Sequence, residues 1–133
     1  MATTMHFDLV SPERKVVSVE ASMVQIPGAD GDLTAMPNHA PFLTTLRPGV
    51  VKVTAAGQVS EYVVTGGFAE VSPTATSILA EQAMPREEVT ADLLDQLQKS
   101  AEAALAETSG DEEKGAADTR LRDIAQLKRT LRL

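Results

Sequence analysis

The sequence predicts a β-sandwich or β-barrel followed by an α-helical hairpin, and a change of pattern along the chain is the main reason. Up to about residue 84, short β-branched or alternating runs are separated by glycine and proline turn signals. After Pro85, apolar residues recur every three to four positions, which is the period of an amphipathic helix. We therefore expect two domains, a sandwich over residues 1–84 and a hairpin over residues 85–133.

Seven segments have the length and pattern of β-strands. They are Met5–Val10, Val16–Glu20, Met23–Ile26, Val50–Thr54, Gln58–Thr65, Phe68–Val71 and Ala75–Ala80. Turn signals such as Pro48-Gly49 and Gly66-Gly67 separate them. Turns at this spacing favour an antiparallel sandwich or barrel over alternating βαβ units. The run Gln58–Thr65 has apolar residues on both faces, so it predicts a strand without indicating which face is buried.

Two narrow apolar stripes predict the helices of the hairpin. Thr90 is a suitable N-cap for the first helix, and Asp92 follows in its first turn. The small and charged residues 108–115 predict a mobile connector, and the second helix is expected from about Ala117. The stripes consist of Leu94, Leu97, Ala101 and Ala104 or Leu105, then Leu121, Ile124, Leu127 and Leu131. Because so few side chains must offset the ordering of two helices, we expect the hairpin to be marginally stable and able to leave its resting position.

Composition narrows the possible functions. The 133 residues contain no cysteine and few aromatic side chains, so the core must be aliphatic and no disulfide framework exists. A net charge of −7 disfavours nucleic acid and anionic membrane surfaces, and protein partners are therefore expected. No apolar run reaches the roughly 18 residues of a membrane span, which predicts a soluble chain without direct membrane insertion. The charge is uneven, with a strongly acidic segment 81–113 before a basic segment 114–133.

Catalytic chemistry has little support in this sequence. His6 and His39 have no nucleophile pattern beside them, and no cluster has a recognised metal spacing. The run Gly28–Leu33 lacks the ending of a P-loop and the ligand sequence of an EF-hand, so an acidic turn is the simpler reading. We therefore expect no catalytic residue, no metal and no cofactor, with His39 bonded to the backbone or facing a partner.

One stretch contains many residues that restrict the backbone at fixed separations. These are Gly28, Gly31, Pro37, His39, Ala40 and Pro41, and they predict a shaped loop. Their pattern, Gly-x-x-Gly-x-x-x-x-x-Pro-x-His-Ala-Pro, resembles the epsilon subunit of the F-type ATP synthase. The opening run Met5–Pro12, the run Thr65–Val71 and the charged, alanine-rich last third resemble that family in the same order.

The resemblance implies a ten-stranded sandwich and a helical hairpin in a subunit of the rotor's central stalk. Such a subunit would bind the gamma subunit, rest on the c-ring and couple proton-driven rotation to ATP synthesis. Its location would be peripheral, on the cytoplasmic side of a bacterial inner membrane. The residues implied to face the c-ring are Asp30, Gly31, Asp32, Asn38 and His39.

The resemblance also implies that the hairpin can restrain ATP hydrolysis by reaching the catalytic beta subunit, and the alpha subunit is a further implied partner. The cations that suit this contact are Arg120, Arg122, Lys128, Arg129 and Arg132. An equally weighted alternative is that they pair with the preceding acidic helix. The family's nucleotide motif keeps its acid at Asp92 but has Asp95 where an arginine is expected, which argues against ATP binding. Two other function classes remain open, a free-standing β-sandwich binding module and a small hydrolase that depends on His39.

Overall fold

The computed structural model describes residues 3–108 and 110–133, and the chain divides between Glu87 and Glu88 into two compact units. The described part of the first unit holds ten strands, β1 to β10, and a 3-10 turn at Arg86–Glu88 spans the boundary. The strands are Met5–Val10, Lys15–Ala21, Met23–Gly28, Gly31–Ala35, Phe42–Leu46, Gly49–Ala55, Gln58–Val64, Gly67–Val71, Ala75–Ala80 and Ala83–Pro85. The second unit holds helices α1, Ala91–Glu107, and α2, Asp111–Leu131. The predicted fold class, a β-sandwich followed by a helical hairpin, is confirmed.

Hydrogen bonds connect the strands in the order β10-β7-β6-β3-β5-β8-β9-β1-β2, and β4 branches off to pair with β3. The pairing of β1 with β9 is parallel, with His6 beside Ala75 and Val10 beside Leu79. This pair departs from the antiparallel sheet that the sequence predicts. Local turn signals could not reveal it, because parallel neighbours are joined by long connections that leave no hairpin signature.

Three of the ten strands were not among the predicted segments. β5 and β10 fall in short runs without clear alternation, whereas β4 lies inside the stretch expected to be a loop. The prediction of a continuous loop from Gly28 to Pro41 is therefore wrong. Gly28 pairs with Gly31 around a two-residue turn, and the chain continues as β4 before it enters an irregular segment. Turn-forming residues mark both ends of β4, and they hid the short strand between them.

The sandwich core is aliphatic, as the composition predicts. Met5, Phe7 and Leu9 alternate inward along β1, and all three are at most 1% exposed. Facing strands contribute a further set of small and branched residues: Val24, Ile26, Val51, Val53, Val64, Ala69, Val71 and Ile78. Burial of these side chains is the main favourable contribution to the sandwich. The core therefore needs one phenylalanine and leaves Phe42 and Phe68 exposed.

The first helix begins where the sequence predicts. Thr90 has extended backbone angles, and its hydroxyl accepts a hydrogen bond from the Leu93 N–H at 3.2 Å. This bond satisfies one of the helix's unpaired amide donors. Leu94 and Ala101 are buried along α1, and of the two candidates for the next stripe position Leu105 is half-buried whereas Ala104 is exposed.

The second helix begins six residues earlier than predicted, and it is longer than the first. Three acids in its first turn, Asp111, Glu112 and Glu113, suit the positive end of the helix dipole. The Gly110 N–H also donates to the Glu113 carboxylate at 3.0 Å. These contacts extend the helix through Gly115, which costs roughly 1 kcal/mol relative to alanine. The expected connector 108–115 is thus reduced to residues 108–110, of which Ser109 lies outside the described residues.

The apolar stripe of α2 matches the prediction. Ile124, Leu127 and Leu131 are buried, and Leu121 is half-buried. The helix ends at Arg132 in a left-handed conformation, and the Leu133 N–H donates to the Lys128 carbonyl at 3.0 Å. This arrangement satisfies carbonyls that have no partner within the helix.

Candidate functional site

The outer face of the sandwich carries a contiguous group of apolar side chains, of which three are exposed and one, Val10, is half-buried. Phe68 on β8 lies directly beside Leu79 on β9, and Leu79 lies beside Val10 on β1. Leu43 on β5 is the diagonal neighbour of Phe68. Phe68, Leu79 and Leu43 are 55%, 59% and 68% exposed. We call these four residues the outer apolar patch.

Strand alternation explains why this patch faces outward. The residues next to Phe68, Leu79 and Val10 along their strands are Ala69, Ile78 and Leu9, and these three are fully buried. A single exposed leucine is ordinary on a protein surface, whereas contiguous apolar side chains on one sheet face mark a contact surface for another molecule. Sequence reasoning missed the patch, because its residues come from four strands whose pairing was unknown.

A charged cluster lies beside the patch on β1 and β2. His6 Nδ1 is 2.9 Å from the Glu20 carboxylate, and His6 Nε2 is 3.2 Å from Asp8 Oδ1. Only the doubly protonated ring can donate to both carboxylates. The hydrogen bond with Glu20, followed by the charge of Asp8, raises the pKa of His6. The Ser18 hydroxyl, assisted by His6 and Lys15, lowers the pKa of Asp8.

The β3–β4 hairpin presents Asp30, Gly31 and Asp32, and all three are exposed. Gly31 has φ of 138°, and a Cβ added to Gly28 would lie 2.5 Å from the Gly31 carbonyl oxygen, so both glycines are needed for the turn. Arg47 donates to the Gly28 carbonyl at 2.5 Å and also pairs with the Asp32 carboxylate. Arg47 directly follows β5, and its side chain thus connects the end of that strand to the acidic turn. The sequence analysis did not identify this residue.

Asn38 and His39 lie beyond the other end of β4. The Asn38 N–H donates to the Pro73 carbonyl at 2.8 Å, and its φ is 71°. The half-buried His39 places Nδ1 2.5 Å from the Ala40 carbonyl. The five residues expected to form one surface thus fall into two groups, one at each end of β4. At the usual rise per residue of a β-strand, β4 is about 13 Å long. The Pro73 carbonyl holds the second group at the β8–β9 turn.

The basic residues of α2 have different surroundings. The Lys128 ammonium donates to Asp95 Oδ1 at 2.8 Å and to Gln98 Oε1 at 3.0 Å, and both acceptors are on α1. Arg129 donates to Gln126 of its own helix at 2.8 Å. Arg122, Arg129 and Arg132 are exposed, and Arg120 is half-buried. Lys128 therefore pairs with the acidic helix, as the alternative interpretation expects.

The two positions of the nucleotide motif are both exposed on α1. Asp92 is in the first turn, and Asp95 lies one turn later and binds Lys128. Donation from Lys128 lowers the pKa of Asp95, so its carboxylate stays ionised. The negative charge of Asp95, at the position where the motif has an arginine, repels phosphate. The same carboxylate also forms an ion pair with Lys128.

Among residues 3–108 and 110–133, no group of three or more His, Cys, Asp or Glu side chains is placed to hold a metal ion. None of the helices described there combines the length and the apolar character that are needed to cross a membrane.

A β-sandwich with an outer apolar patch, followed by a charged helical hairpin, defines a class of small subunit built to contact other proteins. The chain belongs to the ATP synthase delta/epsilon chain family, because the model of that family's β-sandwich domain matches residues 4–86. Two proteins named ATP synthase epsilon chain are close relatives. The one from Jannaschia sp. (strain CCS1) is 53% identical over 96% of this chain and 94% of its own. The one from Fuscovulum blasticum is 52% identical over 96% of both chains.

Solved structures share the fold at low sequence identity. A chain of the Euglena gracilis mitochondrial ATP synthase, solved as OSCP/F1/c-ring, has a TM-score of 0.75 at 20% identity and covers 98% of this chain and 83% of its own. A chain from the Tetrahymena thermophila mitochondrial ATP synthase central stalk and c-ring has a TM-score of 0.67 at 18% identity, with coverage of 92% and 94%. The resemblance to the epsilon subunit of the F-type ATP synthase, inferred from the loop pattern, is confirmed.

Proposed function

We propose that this chain is a non-catalytic subunit of the rotor's central stalk that couples proton-driven rotation of the c-ring to ATP synthesis. Its place would be peripheral, on the cytoplasmic side of a bacterial inner membrane, as part of the ATP synthase complex. Family membership supports this role, and so do the two structural relatives, which were solved in assemblies that contain the c-ring and, in one case, are described as the central stalk and c-ring. The outer apolar patch is the single observation that carries the docking step.

The gamma subunit is the proposed occupant of the outer apolar patch. Rotation transmits torque, so the subunit must be held on the stalk by a contact that excludes water, and apolar side chains supply this best. Phe68 and Leu79 form the centre of the patch, whereas His6, Asp8 and Glu20 provide a polar rim. Central apolar anchors carry most of the binding free energy in such interfaces.

Binding of full-chain variants to purified gamma subunit tests this assignment. Phe68→Asp should weaken binding at least about 30-fold, since it places a charge at the centre of the contact. Val59→Asp is the matched control, because Val59 is 61% exposed on β7 and lies outside the patch. Neither substitution should lower the melting temperature, since both side chains are exposed. Equal binding by the two variants would contradict the docking assignment.

The β4 edge is proposed to face the c-ring. Asp30, Gly31 and Asp32 lie at one end of β4 and Asn38 and His39 at the other, so a surface that includes all five must run along this strand. Acidic side chains there suit cationic loops of the c-subunits. Exposed charge pairs of this type steer and orient a complex more than they tighten it.

The c-ring contact is tested with a stalk and c-ring complex that lacks this subunit. Asp30→Asn should slow association of the full chain at low salt, and the difference should fade at about 1 M salt, where charges are screened beyond about 3 Å. Asp118→Asn on α2 is the control of equal net charge. If both variants associate at the same rate at low salt, the acidic turn does not face the ring.

Restraint of ATP hydrolysis through the hairpin is the second part of the proposal. The exposed cations Arg122, Arg129 and Arg132 would bind an acidic surface of the catalytic beta subunit. The alpha subunit is a further proposed partner of the hairpin. The Asp95 carboxylate supports an arm that works without bound ATP, and titration of the chain with ATP should leave its melting temperature unchanged. A rise in melting temperature with ATP would contradict this point.

A further inference from the structure

The charged cluster of β1 and β2 lies on the same face of the sandwich as the outer apolar patch. Asp8 and His6 come two and four residues before Val10 along β1, so strand alternation turns all three outward. Leu79 lies beside Val10, which places His6 about 14 Å from Leu79 at the usual strand dimensions. A standard interface buries roughly 800 Å² on each partner, which corresponds to a radius of about 16 Å. A partner centred on Leu79 therefore reaches the charged cluster.

The acceptors around His6 put the neutral form of its ring in an unfavourable contact. Nδ1 lies 2.9 Å from the Glu20 carboxylate and Nε2 lies 3.2 Å from that of Asp8. A neutral ring carries one proton, so its other nitrogen directs a lone pair at a carboxylate. The Ser18 hydroxyl, 3.3 Å from Nε2, could donate to it, but the same hydroxyl is a hydrogen-bond partner of Asp8. The protonated ring removes this conflict, because it donates to both carboxylates and leaves the hydroxyl to Asp8.

The net charge of the cluster also depends on the protonation of His6. Asp8 and Glu20 each carry one negative charge, and Lys15, 3.9 Å from the Asp8 carboxylate, carries one positive charge. These four side chains therefore sum to −1 when the ring is neutral and to zero when it is protonated. The cluster is electrically balanced only with the extra proton.

The strands on the other side of β1 do not favour the neutral ring. β9 places Ala75 beside His6 and Ser77 beside Asp8, and neither side chain is charged. Glu70 on β8 lies beside Ser77 and is a further acid on this face. The surroundings of the ring from β2, β9 and β8 thus supply more negative than positive charge.

Water relieves this conflict in the free chain, because the side chains of His6 and Glu20 are 49% and 63% exposed. A partner that covers the cluster removes that water. Burial alone lowers the pKa of a histidine, but it penalises a group of side chains with a net charge more than a balanced one, and an unmatched acceptor pair costs more without water. Covering this face therefore favours the protonated ring.

We propose that docking of the gamma subunit on the outer apolar patch takes up a proton at His6, so that the contact is tighter at low pH than at high pH. The proton comes from the buffer. This uptake rests on the docking step of the proposed function, since the same partner must cover the patch and the cluster.

The pH window of the effect follows from the two pKa values of His6. The additional affinity is fully present below the pKa of the free chain and is lost as the pH rises through the pKa of the complex. The hydrogen bond with Glu20, followed by the charge of Asp8, already raises the pKa of His6 above its ordinary value of 6.5 in the free chain. We therefore expect the affinity to fall above about pH 6.5.

Calorimetric titration of purified gamma subunit with the full chain measures the uptake. Heats recorded near pH 7.5 in two buffers of different ionisation enthalpy should reveal roughly 0.2 to 0.5 proton bound per complex, and Kd should rise about three- to tenfold between roughly pH 6 and pH 9. His6→Gln keeps a polar side chain that does not titrate, so it should bind no proton and its Kd should change less than about twofold.

His39→Gln is the matched control. His39 is the other histidine of the sequence, and its Nδ1 contacts the Ala40 carbonyl instead of a carboxylate. This variant should keep the full pH dependence. A pH dependence that persists in His6→Gln would belong to the gamma subunit and would overturn the proposal.

A double variant tests whether the carboxylates cause the uptake. Asp8→Asn combined with Glu20→Gln leaves His6 in place but removes both negative charges, so Kd should change less than about twofold between the same pH values. Glu112→Gln combined with Asp118→Asn removes the same charge from exposed positions of α2 and should keep the three- to tenfold change. Equal pH dependence in the two double variants would contradict the proposal.

Failure of the proton uptake is distinguishable from failure of the docking assignment. If Phe68→Asp weakens binding and Val59→Asp does not, but Kd of the original chain is the same at roughly pH 6 and pH 9, docking stands and the proton uptake is wrong. If Phe68→Asp and Val59→Asp bind equally, the docking assignment fails and the proton uptake fails with it.

Discussion

The sandwich and the hairpin bury apolar surface to very different extents. Sixteen buried hydrophobic residues form one core cluster in the sandwich, drawn from strands that are far apart in the sequence. The two helices together contribute five buried residues over 38 helical positions, and Lys128 on α2 donates hydrogen bonds to two side chains of α1. Since ordering each residue costs about 1 to 2 kcal/mol for the backbone, we expect the sandwich to remain folded by itself and the hairpin to open more readily. The sandwich therefore suits a permanent contact with a partner protein, whereas the hairpin suits a change between two arrangements.

The largest expected effect comes from Phe7→Ala in the sandwich core. Phe7 is fully buried, so the truncation should lower the free energy of unfolding by about 3 to 5 kcal/mol. Denaturant titration measures this change. Leu79→Ala on the exposed face of β9 is the control and should cost less than about 0.5 kcal/mol. Similar losses in both variants would mean that the inward and outward faces are wrongly assigned.

The next largest effect is expected in the hairpin and should stay there. Ile124 is 1% exposed on α2, and Ile124→Ala should cost about 2 to 4 kcal/mol of the free energy that holds the helices closed. Amide exchange should show loss of protection in α1 and α2 with little change in β1, β6 and β8. Loss of protection in the strands as well would show that the two units unfold together. The sandwich and the hairpin would then not differ in stability as proposed.

A smaller effect is expected at the acidic turn. Arg47→Met removes the hydrogen bond to the Gly28 carbonyl and the ion pair with Asp32, at a cost of about 1 kcal/mol. The amides of β3 and β4 should exchange faster, whereas those of β1 and β9 should not. Lys52→Met provides a control for the lost charge, since Lys52 is an exposed cation on β6. An equal response to both substitutions would leave Arg47 without a role in the turn.

The smallest effect is a pH dependence within the charged cluster. The pKa of His6 is raised in the folded chain, so the stability that it contributes is fully present below its unfolded pKa of about 6.5 and is lost as the pH rises through its folded pKa. His6→Gln should therefore lower the melting temperature at roughly pH 5.5 and leave it unchanged at roughly pH 8.5. A loss of the same size at both pH values would show that packing, rather than charge, is the role of this ring.

Much of the fold could be predicted because local patterns determine it. The helix start at Thr90 depends on one hydroxyl, and strands such as Met5–Val10 depend on alternation within six residues. The predicted start of α2 near Ala117 is too late, because Gly115 and the charged residues before it have the pattern of a connector. In the structure, the dipole and the Gly110–Glu113 contact favour helix in that segment.

The candidate site was less predictable because long-range pairing creates it. Phe68, Leu79 and Val10 are neighbours only through the β8–β9 and β9–β1 ladders, and the sequence alone does not specify the parallel ladder. The separation of Asp30 from His39 likewise depends on β4, which the turn residues concealed. The hairpin shows the reverse, since Lys128 was selected from the sequence but its partners Asp95 and Gln98 required the structure.

The most direct test of the contrast is amide hydrogen exchange on the full chain alone, near neutral pH and without denaturant. The account predicts that the amides within Ala91–Glu107 and Asp111–Leu131 exchange at least about 100-fold faster than those of the buried strands β1, β6 and β8, because the hairpin opens while the sandwich stays folded. Equal protection in the helices and the strands would contradict it, since the hairpin would then be as permanent as the sandwich.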